Sequence, residues 1–302
     1  MTTIESPESS YTRTWAGDRG EVRHFVRADG SRLRYYTTGT GPPLVLIHTV
    51  RTQLDYFQRV IPRLLDRFTV YAVDLPGMGW SDIVANQSFE EADFRSAIVD
   101  FVQGLDLRAV TLAGESLGGA VALLASIDLG DRVSRVVALN PYDYPSGLIR
   151  GSFLGRLIIP AVRLPVVGPL IAGLEPRPVM RRVLRGGLVD GAALPEELLD
   201  ELLRSGRRKG YDKVARGVYR SLPGFIRARS RYPEVGAPVT LVYSDGDWSR
   251  PAERDQVENA LRRVERVNIP LSGHFASLEK PEVVAAILNE TVLTDLLRRG
   301  DR

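Results

Sequence analysis

The sequence predicts an α/β fold, a mostly parallel central sheet flanked by helices on both faces, with a helical segment inserted after the sixth strand. Three observations lead there. Short β-branched, apolar runs alternate with longer helix-forming stretches across residues 44–139, the rhythm of strand–helix–strand units. Those runs are continuously apolar, as strands buried on both faces are. The rhythm stops near residue 144 and resumes near residue 234, so the intervening stretch is expected to be a separate helical unit.

In chain order, the first eighteen residues are polar and expected to be loosely ordered. Residues 21–28 and 32–37 are β-like runs joined by Asp29-Gly30, a pair that favours a hairpin turn. Residues 44–48 read as a strand followed by an amphipathic stretch over 55–68, and residues 69–73 as a strand followed by a helix over 89–105. Next come a strand at 109–113, a small-residue helix from Ala120 to Ala125, and a strand at 133–139. After the break, strand 239–243, helix 252–264, strand 265–269 and a last helix from Pro281 to Arg299 complete the pattern. The expected division is a core of residues 19–145 and 234–302 and a helical cap of residues 146–233. Helix-like pieces within the cap lie at 154–162, 179–185, 195–204 and 211–222. No internal repeat is visible.

Composition narrows the function. The 302 residues are 44% hydrophobic and 25% charged, as in a soluble globular protein. The absence of cysteine excludes disulfides, thiol catalysis and cysteine-ligated metals. Residues 1–10 lack the basic and apolar regions of a secretory signal, and no apolar run reaches membrane-spanning length, so the cytoplasm is the expected location. The net charge of +3 comes mainly from arginines interleaved with 37 acids, with lysine only at Lys209, Lys213 and Lys280. No nucleic-acid motif accompanies them, and no nucleic-acid partner is expected.

The chemistry is carried by Gly114-Glu115-Ser116-Leu117-Gly118, which joins an apolar strand to a small-residue helix. A serine on such a bend has an exposed hydroxyl and a helix N-terminus behind it, while the glycines let neighbouring backbone come close. Ser116 is therefore the candidate nucleophile, and it needs a general base. Of the three histidines, His24 lies in a charged β-like run and reads as a strand-surface residue, and His48 ends an apolar strand. His274, in the loop after a late strand, is the candidate base. A carboxylate must orient that base. Asp247 follows the strand 239–243 and is preferred, Asp143 after the strand 136–139 is the alternative, and Asp245 beside Gly246 fits a turn-former equally well.

With these residues in place, the chain resembles a cap-bearing serine hydrolase of the α/β-hydrolase superfamily, over residues 20–145 and 235–298. The resemblance implies that the Leu46-Ile47-His48-Thr49-Val50-Arg51-Thr52 loop contributes to an oxyanion hole, formed by the backbone N–H groups of Val50 and Leu117. Asp74 to Asp82 is similar to the superfamily's Asp-x-x-Gly-x-Gly-x-Ser segment, and Gly273-His274 to its Gly-His element. Thr49 stands where the superfamily has glycine; a β-branched residue resists positive φ, so the loop is expected to run differently. Serine at the elbow points away from the carboxylate-nucleophile chemistry of epoxide hydrolases and haloalkane dehalogenases.

The implied activity is cleavage of a carboxylic ester or lactone through an acyl-enzyme on Ser116. Carbon–carbon bond hydrolysis, acyl transfer or perhydrolysis are the alternatives, and a non-turnover ligand receptor is a rival of another class. The expected partner is a small, apolar ester or lactone, with no cofactor and no metal. Candidate substrate-binding residues are His48, Thr49, Arg51, Trp80, Tyr142 and Trp248. Arg51 either holds an acidic substrate group or pairs with Asp55 or solvent; Trp80 and Trp248 either line the pocket or pack. Glu115 either tunes the site or is a tolerated elbow residue. The apolar residues 158–170 are expected to roof the pocket, with a lipid-facing surface as the other reading.

Overall fold

The computed structural model describes residues 7–85, 87–145, 147–151, 160–162, 164, 168 and 176–300. Among these, eight strands form one sheet: β1 (Gly20–Val26), β2 (Arg32–Thr38), β3 (Pro43–Ile47), β4 (Thr69–Val73), β5 (Val110–Glu115), β6 (Val133–Leu139), β7 (Val239–Gly246) and β8 (Val264–Gly273). Their order is β1-β2-β4-β3-β5-β6-β7-β8. The β1–β2 hairpin is antiparallel, as is the β2–β4 pair, and every pair from β4 to β8 is parallel. The side-chain period of two is legible in the packing. Val45 and Ile47 enter one core and Leu44 and Leu46 the other; Val136 and Ala138 are likewise separated from Val137 and Leu139.

Helices α2 (Glu91–Gly104) and α3 (Leu117–Leu129) cover the first face. The insertion between β6 and β7 contains α4 (Gly147–Gly151), α5 (Arg177–Arg185), α6 (Glu196–Gly206) and α7 (Tyr211–Ala228). Val218 and Phe225 of α7 join the α2–α3 core, whereas Leu198 and Leu202 of α6 join the opposite one. Helix α8 (Pro251–Ala260) connects β7 to β8; α9 (Ala276–Glu279) and α10 (Pro281–Gly300) follow. The helix-like piece expected at 154–162 and the apolar run 158–170 lie outside the described residues, apart from 160–162, 164 and 168.

Two expectations need correction. The N-terminal eighteen residues are not loosely ordered throughout: Pro7–Ala16 forms helix α1. It is tied down by tertiary contacts, the Thr12 hydroxyl and Trp15 Nε1 donating to Asp55 Oδ1 at 2.6 and 2.8 Å. The stretch 55–68 is not a helix either. It winds through two 3-10 turns, Leu54–Phe57 and Ile61–Arg63. Pro62 removes a backbone donor there, and Asp55 is drawn into the interior, so the local amphipathic pattern does not decide the backbone.

What draws Asp55 inward is Arg34 on β2, whose side chain is 0% exposed. Its guanidinium donates to Asp55 Oδ2 at 2.8 Å and to Asp74 Oδ2 at 2.7 Å. Asp74, just after β4, also accepts the backbone N–H groups of Leu54 and Trp80, both at 2.7 Å. Burial alone raises the Asp55 pKa, but the Arg34 charge and hydrogen bonds from Thr12, Trp15 and Arg34 outweigh it and hold the carboxyl below its ordinary value.

Breaking a buried ion cluster by removing one partner leaves an uncompensated charge. Arg34→Met is expected to lower the unfolding free energy by about 3–5 kcal/mol in urea titrations at neutral pH. Because the folded pKa of Asp55 is depressed, its contribution is complete above the unfolded value of about 4 and lost as pH falls through the lower folded value. A wild-type and Arg34→Met pair of equal stability at pH 7 would contradict this account.

Candidate active site

The site is built around the end of β5. Ser116 adopts φ +58° and ψ −118°, a left-handed backbone that costs a non-glycine residue free energy. The surroundings enforce it. Ser116 N–H donates to Leu139 O at 2.8 Å, and Ser116 O accepts from the N–H groups of Gly119 and Tyr142 at 3.0 and 2.9 Å. A Cβ on Gly118 would overlap the Ile47 carbonyl, and one on Gly114 the Gly118 carbonyl. The two glycines thus let α3 start directly against β3 and β5.

The Ser116 hydroxyl lies 2.8 Å from His274 Nε2, and His274 Nδ1 makes a short hydrogen bond with Asp247 Oδ1. Asp247 follows β7, and its other oxygen accepts from the Ser249 N–H at 3.0 Å and from the Ser249 hydroxyl. Burial pushes its pKa up, but the His274 contact and the Ser249 hydrogen bonds prevail and hold it below the ordinary value. An ionised carboxylate is acceptor-only, so the Nδ1 proton faces Asp247 and Nε2 is left to accept the Ser116 proton. Strand β8 runs to Gly273, longer than the expected 265–269, and delivers His274 directly from its end. Asn140 Nδ2 holds the His274 carbonyl at 3.0 Å. Ser116 and His274 are 1% and 0% exposed.

Trp248 stacks on the His274 imidazole, with ring centroids 3.8 Å apart and planes within 12°. Above it sits the turn after α5, where Gly187 O accepts the Phe275 N–H at 3.1 Å and a side chain on Gly187 would strike Phe275. The insertion is therefore fastened to the loop that carries His274.

Leu117 opens α3 directly behind Ser116, and Val50 is half-buried in the loop after β3. His48 Nε2 accepts the Leu75 N–H at 2.9 Å, and Nδ1 faces Thr49 O at 2.8 Å. Burial first, with Arg34 nearby, lowers its pKa and keeps the ring neutral. Both nitrogens thus hold loops together. Thr49 has no positive φ, whereas Arg51 two residues on does, at +58°. The Thr49 hydroxyl is buried with no hydrogen-bond partner among the described residues. Arg51, 7% exposed, lies over the rings of Tyr211 and Tyr219 of α7 at 5.6 and 5.7 Å, while Asp55 is engaged by Arg34.

Trp80 donates to Glu201 of α6 at 2.7 Å and so joins the core to the insertion. Tyr142 is buried against Tyr144. His24 lies part-exposed on β1. Asp245 is exposed, and Asp143 is bonded to the Tyr232 hydroxyl at 2.8 Å instead of to His274.

Glu115 matters more than its sequence position conveys. Fully buried, it accepts the N–H groups of Ala276 and Ser277 at 2.6 and 3.2 Å and the Tyr56 hydroxyl at 2.8 Å. Burial raises its pKa against those hydrogen bonds. It pins the end of β5 to the segment just after His274. The available signal was an acid inside an otherwise apolar strand, which burial obliges to find donors.

Comparison with known proteins agrees with this architecture. An uncharacterized protein of Mycobacterium tuberculosis is 26% identical over 297 residues, covering 91% of this chain and 86% of that one. The dihydrolipoyllysine-residue acetyltransferase component of the acetoin cleaving system of Cupriavidus necator is 26% identical over 289 residues, covering 92% and 72%. The crystal structure of a mutant of haloalkane dehalogenase DatA from Agrobacterium tumefaciens shares the fold, with a TM-score of 0.81, 21% identity and coverage of 93% and 99%. The sequence profile of the Alpha/beta hydrolase family matches residues 44–287, and the chain belongs to that family.

Proposed function

We propose that the protein is a serine hydrolase that cleaves a carboxylic ester or lactone through an acyl-enzyme on Ser116. The observation that carries this reading is the buried relay from the Ser116 hydroxyl through His274 to Asp247. In the first step His274 Nε2 takes the Ser116 proton as Oγ attacks the carbonyl carbon, and the Nδ1–H stays on Asp247. The negative oxygen of the tetrahedral intermediate is held by the backbone N–H groups of Val50 and Leu117. Imidazolium His274 then protonates the leaving group. In the second step the now neutral His274 takes a proton from water as its oxygen attacks the acyl carbon, and returns that proton to Ser116 Oγ as the ester bond breaks and the acid leaves.

The Thr49 hydroxyl, left without a partner among the described residues, is suited to donate to the same oxygen or to a neighbouring substrate atom. Trp248 covers one face of the imidazole, and an aromatic face favours the cation that forms during attack. Residues 146–233 act as the lid: their fastening to the His274 loop and the burial of Ser116 support a site that excludes water in its closed form. Trp80, Tyr142 and Arg51 border that lid and are assigned to substrate selection; Arg51 suits a substrate with an acidic group. His48 shapes the loop.

Although DatA is named a dehalogenase, Ser116 here cannot supply the carboxylate nucleophile of that chemistry. The acetyltransferase component similar to this chain favours a second reading, in which the acyl group passes to an acceptor other than water.

Multiple-turnover hydrolysis of p-nitrophenyl esters is expected to fall at least about 10⁴-fold in Ser116→Ala. The same substitution should abolish the fluorophosphonate adduct seen by intact mass, and adduct formation on Ser116→Ala would exclude this nucleophile. Thr49→Val keeps the shape and removes only the hydroxyl, so kcat is expected to fall about tenfold, one lost hydrogen bond in the transition state; an unchanged kcat removes Thr49 from the reaction. The two acid candidates separate cleanly. Asp247→Asn should cost on the order of 10³–10⁴ in kcat, and Asp143→Asn should leave kcat within a few-fold. Burial pushes Asp143 up to about 7, so its favourable contribution is complete below the unfolded value of about 4 and lost as pH rises through 7. Asp143→Asn should therefore flatten the stability profile between about pH 4 and 7, and an unchanged profile would refute the assignment.

A further inference from the structure

Charge is distributed unevenly along the chain. Residues 146–233 hold 17 of the 40 lysines and arginines but only 7 of the 37 acids, a net charge of +10 that leaves −7 for the rest. A general arginine bias would spread over both parts. Arg177, Arg181 and Arg185 of α5 share the carboxylate of Glu196, with Asp200 on Arg177 as well. Arg182, Arg207, Lys209, Lys213 and Arg227 are exposed and form no ion pair among the described residues. Among the described residues, two of the four large exposed apolar side chains also belong to this segment, Leu164 at 51% and Val189 at 62%.

We infer that the insertion docks the protein on an anionic lipid bilayer, with its cations against the headgroups and its exposed apolar residues in the interface. Positive charge together with exposed apolar side chains is the combination that interfacial binding rewards, and Leu164 lies against the basic helix α7, its carbonyl accepting from Arg216 at 3.0 Å. A phosphodiester backbone would satisfy the cations and leave Leu164 and Val189 in water, so a nucleic acid fits less well. Docking through the insertion sets the bilayer against the segment that is fastened to the His274 loop. An ester that partitions into the membrane would then meet the lid first. That substrate assignment rests on the hydrolase reading; the docking does not.

The test is co-sedimentation of the full chain with vesicles of phosphatidylcholine alone or with about one-third phosphatidylglycerol, across a salt series. Binding is expected only with phosphatidylglycerol and should weaken steeply with salt. Each basic residue near such a surface strengthens binding about fivefold. Reversing Arg182, Lys209 and Lys213 together to Glu should therefore weaken it at least about a hundredfold. Val189→Asp should weaken it too. The same change in charge on the core, with Arg67, Arg262 and Arg263 all changed to Glu, should leave binding nearly intact. The inference is overturned by three results: no preference for phosphatidylglycerol, equal loss in the core and insertion variants, or tighter binding to a short DNA duplex than to the vesicles. Vesicle binding without ester turnover supports the docking and overturns the hydrolase reading alone.

Discussion

A guanidinium can stay charged at zero exposure only if carboxylates meet it, and the demand set by Arg34 organises one side of the molecule. Asp74 reaches it from the end of β4, Asp55 from the turn after β3. Each carboxylate then has oxygens to satisfy, and the donors come from separate segments of the chain. The Leu54 and Trp80 amides close on Asp74; Thr12, Trp15 and Gln53 close on Asp55. Gln53 also touches Glu201 of α6, so the N-terminal helix, the loop of Val50 and the insertion are all referred to one buried charge. The residues that flank the loop after β3 gain their positions from an ion cluster set apart from the Ser116–His274 pair.

Strain is handled in the same way. Ser116 and Arg51 both hold left-handed backbone without being glycine, one in the elbow and one in the facing loop. Neither conformation is favourable locally. Ser116 is held by four backbone hydrogen bonds, to Leu139, Gly119, Ala120 and Tyr142, and the Arg51 side chain by two tyrosine rings. In the loop after β3 the positive φ falls on Arg51 and not on the β-branched Thr49.

Much of the sheet was legible because its signals are local. Continuous apolar runs mark strands buried on both faces, and Asp29-Gly30 marks the hairpin whatever the rest of the chain does. The elbow was legible for the same reason, since strand, turn and helix are adjacent in sequence. His274 and Asp247 could be ranked by their places after late strands, although only the fold brings them to Ser116. What escaped the sequence depends on distant partners. Helix α1 is weak by composition and is held by Asp55, some forty residues away. The turns at Leu54–Phe57 and Ile61–Arg63 replace a plausible helix because Arg34 pulls Asp55 inward. Glu115 looked incidental because its donors, Ala276 and Ser277, lie about 160 residues further along.

That separation has a consequence for the newly made chain. Ser116 and its histidine are 158 residues apart, and the histidine arrives on the last strand, at the edge of the sheet. While the chain is being synthesised, the elbow can form once β3, β5, α3 and β6 have emerged, because Leu139 and Tyr142 supply two of the hydrogen bonds that hold Ser116. Ser116 then lacks its His274 partner until the insertion, β7 and β8 have followed. The hydrogen bond between Ser116 and His274 therefore forms only when β8 is in place.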